Sequence, residues 1–335
     1  MGGRPDLLES LGARRSVRHG RALAVLSFGD PAAEARALED GAGVVPLEGL
    51  ATWEASGSAT ISFLHRILTQ DVKGIPDGGG RPALLLDARG RVHADAFLWR
   101  RAGRALLALE PAAATGAIPL LERYVIADDV VLADVSSSLA HLLLAGARVP
   151  AVLEAAADAL SGAGALVARC DLRSRPGARI AVPAAARDAV LEALLASGGA
   201  PAGEEAFDVA RVETLTPWWG SETDERVIPN EAVLDAAISW TKGCYLGQEA
   251  VVMARHRGHP PSLLVRLAVE GAAVPAPGTP VLREGRAVGR VTTAIAGRDG
   301  RARALAYVRW DDAKAGTPCE VGEPPRPARI DVVAA

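Results

Sequence analysis

The segment most suited to chemistry is residues 242–249, KGCYLGQE, in which Cys244 stands between two glycines. Glycine on either side permits tight backbone geometry around the thiol. The ammonium of Lys242, two residues away, could favour the thiolate, which is the reactive form of cysteine. Cys244 and Lys242 are therefore candidates for a catalytic role. The alternative is that Cys244 is a buried thiol acting as a small apolar side chain.

The other cysteines suit that structural alternative better, since Cys170 follows the apolar run ALVAR and Cys319 lies in a terminal strand-like segment. Three cysteines without a C-x-x-C pair argue against a disulfide scaffold and a structural zinc site. No nucleophile-elbow motif is present, and His256 and His259 have the spacing of a basic turn. We expect solvated histidines, no Ser-His-Asp or Cys-His triad, and no bound metal.

A second candidate region is rich in aromatic residues. Of 13 aromatic side chains in the chain, five fall within 39 residues: Phe207, Trp218, Trp219, Trp240 and Tyr245. This excess suits a flat ligand, although the same side chains could fill a core. Arg211 and several carboxylates are interleaved with them. Glu213 is the strongest candidate among these, because only a carboxylate gives two parallel acceptors to an amino-pyrimidinone edge.

Length and composition indicate a folded protein of two or three packed units. The chain has 335 residues, 49% apolar and 23% charged, which is ordinary for globular proteins. The net charge of −3 gives no general attraction to phosphate, so nucleic-acid binding is not expected. The first six residues lack an apolar signal core, and no apolar stretch is long enough to span a bilayer. We expect a cytoplasmic protein with no membrane partner.

Periodic patterns predict the elements that position these residues. Apolar residues in SATISFLHRILTQD recur at helical spacing, with Ser58 as a plausible N-cap. Residues 83–87 and 91–99 predict a hairpin turned at Gly90, and His93, Asp95, Phe97 and Trp99 share one face of its second strand.

Short strand-like runs alternate with helices from residue 104 to 197, which is typical of α+β layers. Gly198, Gly199 and Pro201 end that region. Beyond Pro260 and Pro261, strands separated by turns such as Arg298-Asp299-Gly300 predict a small all-β domain. We therefore expect an α+β region over 1–258, with one lobe from 1–100 and 200–258 and another from 101–199, followed by a β domain over 262–335.

KGCYLGQE, together with the preceding TPWWGSETDERVIPNEA, resembles the signature of the YgfZ-type folate-binding proteins. These are relatives of the glycine-cleavage T-protein that act in assembly or maintenance of iron–sulfur clusters. SGSATISFLHRILTQDV, LLLDARGRVHADAFL, RVETLTPWWG and GRAVGRVTTA resemble family counterparts in the same order. The resemblance covers about residues 40 to 310.

The resemblance implies a cloverleaf α+β body, a C-terminal β-barrel, and tetrahydrofolate or a one-carbon derivative in a central cavity. It implies pterin binding by Glu213, with Arg211, Trp218, Trp219, Tyr245 and Asp95 as further cofactor-binding residues. T-proteins carry two adjacent acids on the hairpin strand, where this chain has Ala94-Asp95. One acid used in aminomethyl transfer is thus missing.

The leading hypothesis is a tetrahydrofolate-binding accessory factor, not a classical enzyme, whose partners are reduced folate and iron–sulfur client or assembly proteins. Cys244 would act in thiol, cluster or one-carbon chemistry. The first alternative is a folate-dependent aminomethyltransferase or demethylase. The second is a folate-type fold that has lost its ligand.

Overall fold

The computed structural model describes residues 6–18, 20–256, 258–297 and 299–334, except for the side chain of Ala22. The helices are α1 (Leu7–Ser10), α2 (Pro31–Ala37), α3 (Thr60–Ile67), α4 (Pro111–Tyr124), α5 (Val149–Ala155), α6 (Ala157–Gly162), α7 (Arg187–Ala196), α8 (Glu204–Glu213) and α9 (Gln248–His256). The strands are β1 (Arg14–Arg18), β2 (Arg21–Ser27), β3 (Gly43–Pro46), β4 (Ala51–Ser56), β5 (Gly80–Leu86), β6 (Val92–Arg101), β7 (Arg104–Leu109), β8 (Val131–Asp134), β9 (Leu139–Ala145), β10 (Leu166–Arg169), β11 (Gly177–Pro183), β12 (Ala200–Pro201), β13 (Ser262–Val269), β14 (Pro280–Arg283), β15 (Arg286–Ala296), β16 (Ala302–Arg309), β17 (Pro318–Val321) and β18 (Arg326–Val333). None of the described helices is long and apolar enough to cross a membrane.

The first five-stranded sheet has the order β5-β6-β7-β4-β8 and is antiparallel throughout. Its β5–β6 hairpin matches the prediction, and Gly90 in the turn has φ +77°, which glycine adopts without strain. Along β6, Ala94 and Ala96 enter the main core, while Phe97 and Trp99 pack on the opposite face with Ala181 of the second sheet. This alternation confirms the predicted shared face for Asp95, Phe97 and Trp99, whereas His93 lies at a register shift of the β5–β6 pair.

The second sheet has the order β10-β11-β9-β3-β12, with β3 and β12 parallel and the other pairs antiparallel. Ala178, Ile180 and Val182 of β11 pack in a core shared with α5, α6 and α7. Helix α8 contributes Ala206 and Phe207 to a further core with Leu143 of β9 and other residues. Phe97 and Trp99 of the first sheet share a core with Leu166 and Ala181 of the second, so the two sheets face each other.

The predicted core helix is present as α3, but Ser58 does not cap it. The N-cap is Ala59, which makes no side-chain hydrogen bond, and the hydroxyl of Ser58 instead donates to Asp129 Oδ2 at 2.7 Å. Phe63 and Leu64 are fully buried. Packing of this apolar face, not capping, therefore accounts for the helix.

The C-terminal strands form a closed barrel in the order β13-β16-β15-β14-β17-β18. The barrel contacts the body through α8, which lies against β15 and β16. The predicted α+β body followed by an all-β domain is thus confirmed. The turn predicted at 298–300 falls partly on Arg298, which lies outside the described residues.

The expected division of the body into lobes needs correction. Strands β7 and β8, assigned to the second lobe, hydrogen-bond within the first sheet, whereas β3, assigned to the first lobe, lies in the second sheet. Strand pairing is set by long-range hydrogen bonds, so order along the chain does not decide which sheet a strand joins.

Candidate functional site

A cavity of about 800 Å³ opens between the facing sides of the two sheets. Segments 216–219 and 233–241 line it together with both sheets. Its charged, thiol and aromatic lining residues include Asp95, Glu110, Cys170, Arg179, Trp218, Trp219 and Trp240. A concave site of this size with a few polar groups among apolar walls suits a cofactor or small-molecule ligand.

Trp218 forms one wall, and a buried chain of hydrogen bonds holds it. Its indole Nε1 donates to Glu110 Oε1 at 2.9 Å, and Glu110 Oε2 accepts from Arg21 Nε at 2.8 Å. Arg21 is fully buried and donates from its two terminal nitrogens to Glu204 at 2.5 and 2.8 Å. Phe207 packs edge-on against the indole, with ring centroids 5.1 Å apart. The wall is therefore fixed before any ligand arrives.

Arg179 of β11 lies against this wall. Its guanidinium carbon is 5.0 Å from the ring centroid of Trp218, within cation–π range. Burial lowers the pKa of Arg179, and the neighbouring Cys170 and Asp95 oppose that effect. The Nε–H is buried without a hydrogen-bond partner among the described residues. A buried donor without a partner is costly, so this group is available to a ligand.

Asp95 of β6, in the sheet that faces β11, also lines the cavity and supplies a hydrogen-bond acceptor. Burial raises its pKa to about 6, and the charge of Arg179 opposes the rise. Burial also raises the pKa of Glu110, with Arg21 opposing it. At neutral pH the cavity therefore places an ionised Asp95 near a fixed cationic donor. That arrangement can bind a polar, planar group carrying both N–H and carbonyl functions.

Two strained residues shape the loops that line the cavity. Leu215, directly before segment 216–219, has φ +54°, and Val233, which lines the cavity, has φ +57°. A positive φ is rare outside glycine and a genuine outlier for a β-branched residue. Such strain persists only where the surrounding structure fixes it, and it is concentrated at functional sites.

The structure corrects the expected role of Lys242. Its ammonium donates to the backbone carbonyls of His65, of Leu68 at 2.6 Å and of Gln70 at 3.2 Å, near the end of α3. It also lies 5.3 Å from the ring centroid of Tyr245. Burial lowers the pKa of Lys242 to about 8, which leaves it mostly protonated at neutral pH. Because an ammonium has three donors, these bonds use all of them, and Lys242 anchors the motif to the end of α3.

Cys244 itself is exposed. It does not line the cavity, but Thr241, three residues earlier, does. Gly247 has φ +79°, and a Cβ there would lie 2.3 Å from the carbonyl oxygen of Asp87 in the β5–β6 turn. A Cβ at Gly243 would meet nothing within 4 Å. Gly247 thus docks the motif against the hairpin, while the Cys244 side remains open to solvent.

Glu213 and Arg211 do not line the cavity, in contrast to the prediction. Glu213 ends α8 and accepts from Arg266 at 3.1 Å and from Arg303 at 2.8 Å, both in the barrel. Arg211 is buried in ion pairs with Asp208 and with Glu222. Both residues face the barrel because of their position on α8, so they join the two domains.

The aromatic residues predicted as one group lie in different places in the structure. Trp218, Trp219 and Trp240 line the cavity, whereas Tyr245 is buried outside it. The hydroxyl of Tyr245 has no hydrogen-bond partner among the described residues. Three of the five aromatic residues thus line the cavity, while Phe207 and Tyr245 pack in hydrophobic cores.

Three functional candidates escaped the sequence analysis: Glu110, Cys170 and Arg179. Cys170 is half-buried and lines the cavity, and burial raises the pKa of its thiol. Alternation along β11 contained a signal for Arg179, since its neighbours Ala178 and Ile180 both enter the opposite core. Cys319 is buried, as expected.

Within the described residues, no group of three or more His, Cys, Asp or Glu side chains could hold a metal ion. The only thiol in the motif is that of Cys244. An iron–sulfur cluster normally takes four protein ligands. A cluster at Cys244 would therefore need ligands from another molecule.

Residues 26–242 match the family model described as the GCVT N-terminal domain, and residues 264–332 match that of the CAF17 C-terminal beta-barrel domain. The chain is 29% identical over 315 residues to an aminomethyltransferase of Rubrobacter xylanophilus, covering 89% of this chain and 84% of that protein. It is 25% identical over 305 residues to a putative chloroplastic transferase of Arabidopsis thaliana, covering 86% of this chain and 70% of that protein.

A solved structure agrees with this relationship in fold. Glycine cleavage system aminomethyltransferase T from Bartonella henselae is similar with a TM-score of 0.83 at 21% identity, covering 97% of this chain and 94% of that chain. The predicted T-protein-like body with its C-terminal barrel is thereby confirmed.

Proposed function

Because the chain belongs to the family of the GCVT N-terminal domain and carries a CAF17-type barrel, we propose that it binds a reduced folate in the cavity and serves iron–sulfur proteins as an accessory factor. The observation that carries folate binding is the lining of the cavity: a fixed tryptophan wall, an ionisable acceptor and a buried donor without a partner. Relatives named aminomethyltransferase support the same ligand class.

The residues present fit a reduced pterin. Its amino-pyrimidinone edge offers N–H donors beside a carbonyl oxygen, which match the carboxylate of Asp95 and the guanidinium of Arg179. The ring plane can stack on Trp218, whose orientation Glu110 holds. When bound, the folate supplies a carrier for one-carbon units. The protein binds and orients that carrier and excludes water from its ring.

Titration of tetrahydrofolate against the pure protein tests this proposal. Trp218→Ala should weaken binding by about 1–3 kcal/mol, the usual loss for one aromatic–heterocycle stack. Trp310→Ala, in a barrel tryptophan that stacks on His259, is the matched control and should change nothing. Glu213→Gln should also leave the affinity unchanged, since Glu213 contacts the barrel. Failure of the wild-type protein to bind any reduced folate contradicts the proposal.

The accessory role is proposed for Cys244, which is exposed and follows Thr241 of the cavity lining by three residues. Its thiol should be alkylated faster than Cys170 or Cys319, because burial raises the pKa of both of those thiols, to about 11 for Cys319. Mass spectrometry of the labelled peptides measures the order. Faster labelling of either other cysteine would contradict it.

A strain lacking the gene tests the function itself, with activities of several iron–sulfur enzymes as the measurement. Cys244→Ser should fold and bind folate normally but fail to restore those activities, while Cys319→Ser should restore them. Full rescue by Cys244→Ser would return Cys244 to a structural role.

Aminomethyl transfer is the second candidate, favoured by the names of the relatives and by Asp95 in the cavity. Ala94, where a second acid was expected, is buried in the core on the other face of β6, so Asp95 is the acid of this pair that lines the cavity. We expect no turnover in a coupled assay with an aminomethyl donor. Repeated turnover would replace the accessory role with the enzymatic one.

A further inference from the structure

The carboxylate of Glu222 joins the tryptophan wall of the cavity to the barrel. Its Oε2 accepts from the backbone N–H of Trp218 at 3.1 Å and from Arg211 Nη1 at 2.6 Å. Its Oε1 accepts from the hydroxyls of Thr292 at 2.8 Å and Thr293 at 2.7 Å, both in β15 of the barrel. The side chain of Glu222 is fully buried. Burying a carboxylate is costly unless it is paired and hydrogen-bonded, so these donors fix its place.

Two successive threonines reach the same oxygen because β15 carries a bulge. In a regular strand, successive side chains point to opposite faces of the sheet. The register between β15 and β16 shifts between Val291 and Thr293, so Thr292 is the extra residue of the bulge. An insertion of this kind bends the strand and changes the direction of side chains. The bulge therefore brings both hydroxyls to Glu222 Oε1.

A short turn connects Glu222 with the wall. The backbone N–H groups of Ser221 and Glu222 donate to the carbonyl oxygen of Trp218 at 3.2 and 2.9 Å. The hydroxyl of Tyr307, in β16 of the barrel, donates to the backbone carbonyl of Glu222 at 2.8 Å. Glu110 of the body holds the indole ring. The ring of Trp218 is thus held by the body, while its backbone is held by a turn that the barrel fixes.

A second carboxylate joins body and barrel without this connection. The side chain of Glu213 accepts from Arg266 and Arg303, and both of these partners lie in the barrel. Glu222 differs because its partners lie on both sides of the junction, with Trp218 on one side. Glu213 therefore offers a matched comparison for the role of Glu222.

We propose that the barrel is a positioning element of the cavity: acting through Glu222, Thr292 and Thr293 set the place of the Trp218 wall and thereby the affinity for the cavity ligand. The effect on affinity rests on the proposed function, in which a reduced folate stacks on Trp218. Stacking depends on the offset and spacing of the two rings, so a displaced wall binds the same ligand more weakly. Thr292 and Thr293 are positioning residues, since they act through Glu222.

The double variant Thr292→Val/Thr293→Val removes both hydroxyls and keeps the shape of each side chain. Tetrahydrofolate should bind it roughly threefold to thirtyfold more weakly, the range for residues that act on a site through a connected network. Glu213→Gln removes the charge at the other junction of body and barrel and should keep the wild-type affinity. Thermal denaturation of both variants measures the general loss of barrel docking. A purely structural role of the threonines would lower Tm and leave the affinity of the folded protein unchanged.

The near-ultraviolet circular dichroism of Trp218 gives a readout that needs no ligand. Subtracting the spectrum of the matching Trp218→Phe protein isolates the signal of this indole, which depends on fixed packing around it. The signal should shrink in the double variant and persist in Glu213→Gln. Should the double variant fail to fold, Thr292→Val alone should show smaller changes of affinity and signal in the same direction.

The outcomes separate the two proposals. An unchanged affinity, an unchanged Trp218 signal, or equal changes in Glu213→Gln overturns the positioning role alone. If the wild-type protein binds no reduced folate, the proposed function and the effect on affinity fall together. The Trp218 signal then decides whether the barrel holds the wall.

Discussion

Asp95 offers the sharpest physical test of the cavity, since the same burial that suits it for binding should destabilise the folded protein. Burial raises its pKa from an ordinary 3.8 to about 6. Asp95→Asn keeps the shape of the side chain and removes the titration. We expect the variant to be more stable than the wild type at neutral pH and to bind reduced folate more weakly.

The sign and size follow from proton linkage. The folded protein holds the proton on Asp95 more tightly than the unfolded chain does, so the contribution of Asp95 to wild-type stability falls as pH rises from about 4 to about 6. A pKa rise of this size corresponds to about 3 kcal/mol at pH 7, since one pKa unit is worth about 1.4 kcal/mol. The stability advantage of Asp95→Asn should therefore grow across this window and be constant above it.

Urea unfolding of the wild type and Asp95→Asn at a series of pH values between 4 and 7 measures this difference. The contributions of the other titrating groups are the same in both proteins and cancel. The pH dependence of the difference in unfolding free energy is therefore due to Asp95 alone. Asp311→Asn, in an exposed residue outside the cavity, is the matched control. Parallel stability curves for Asp95→Asn and the wild type would refute the burial argument.

Two further predictions concern the motif around Cys244. Gly247→Ala should cost at least about 1–2 kcal/mol of unfolding free energy, because its Cβ would overlap the carbonyl of Asp87 and its φ is positive. Gly243→Ala, the control, should change the unfolding free energy by no more than about 0.5 kcal/mol. Equal losses in the two variants would contradict the packing of Gly247. Lys242→Met should cost about 1–3 kcal/mol by leaving its carbonyl partners without a donor. Thermal denaturation with Lys314→Met as the exposed control measures this, and an equal effect of the two changes would remove the anchoring role.

Local patterns predicted most elements, because helix and strand periodicity depend on near neighbours. The β5–β6 hairpin and the face shared by Asp95, Phe97 and Trp99 followed from a period of two. Sheet membership did not follow, since β3 pairs with β9 almost a hundred residues later. Pairings at that separation depend on the whole fold.

Site residues show the same limit. Trp218 was predicted from composition, but its hydrogen-bond partner Glu110 is 108 residues away in the chain. Glu213 was chosen for its carboxylate, and only the docking of the barrel shows that Arg266 and Arg303 hold that carboxylate. Chemical type thus identifies residues able to bind a ligand, while long-range packing decides which of them meet it.

Some residues of the 242–249 motif are held by the fold and others are exposed, and this difference favours a role for the Cys244 thiol at the protein surface. Lys242 and Gly247 have contacts that explain their residue types through the fold alone: carbonyls at the end of α3 for one and the hairpin turn for the other. Packing within the fold does not explain Cys244, which is exposed. It does not explain Gly243 either, because a Cβ on that residue would meet nothing within 4 Å. An anchored segment that presents a thiol to solvent is suited to react with something that approaches from outside. Because Thr241 lines the cavity mouth, that approach would bring a partner beside the proposed folate.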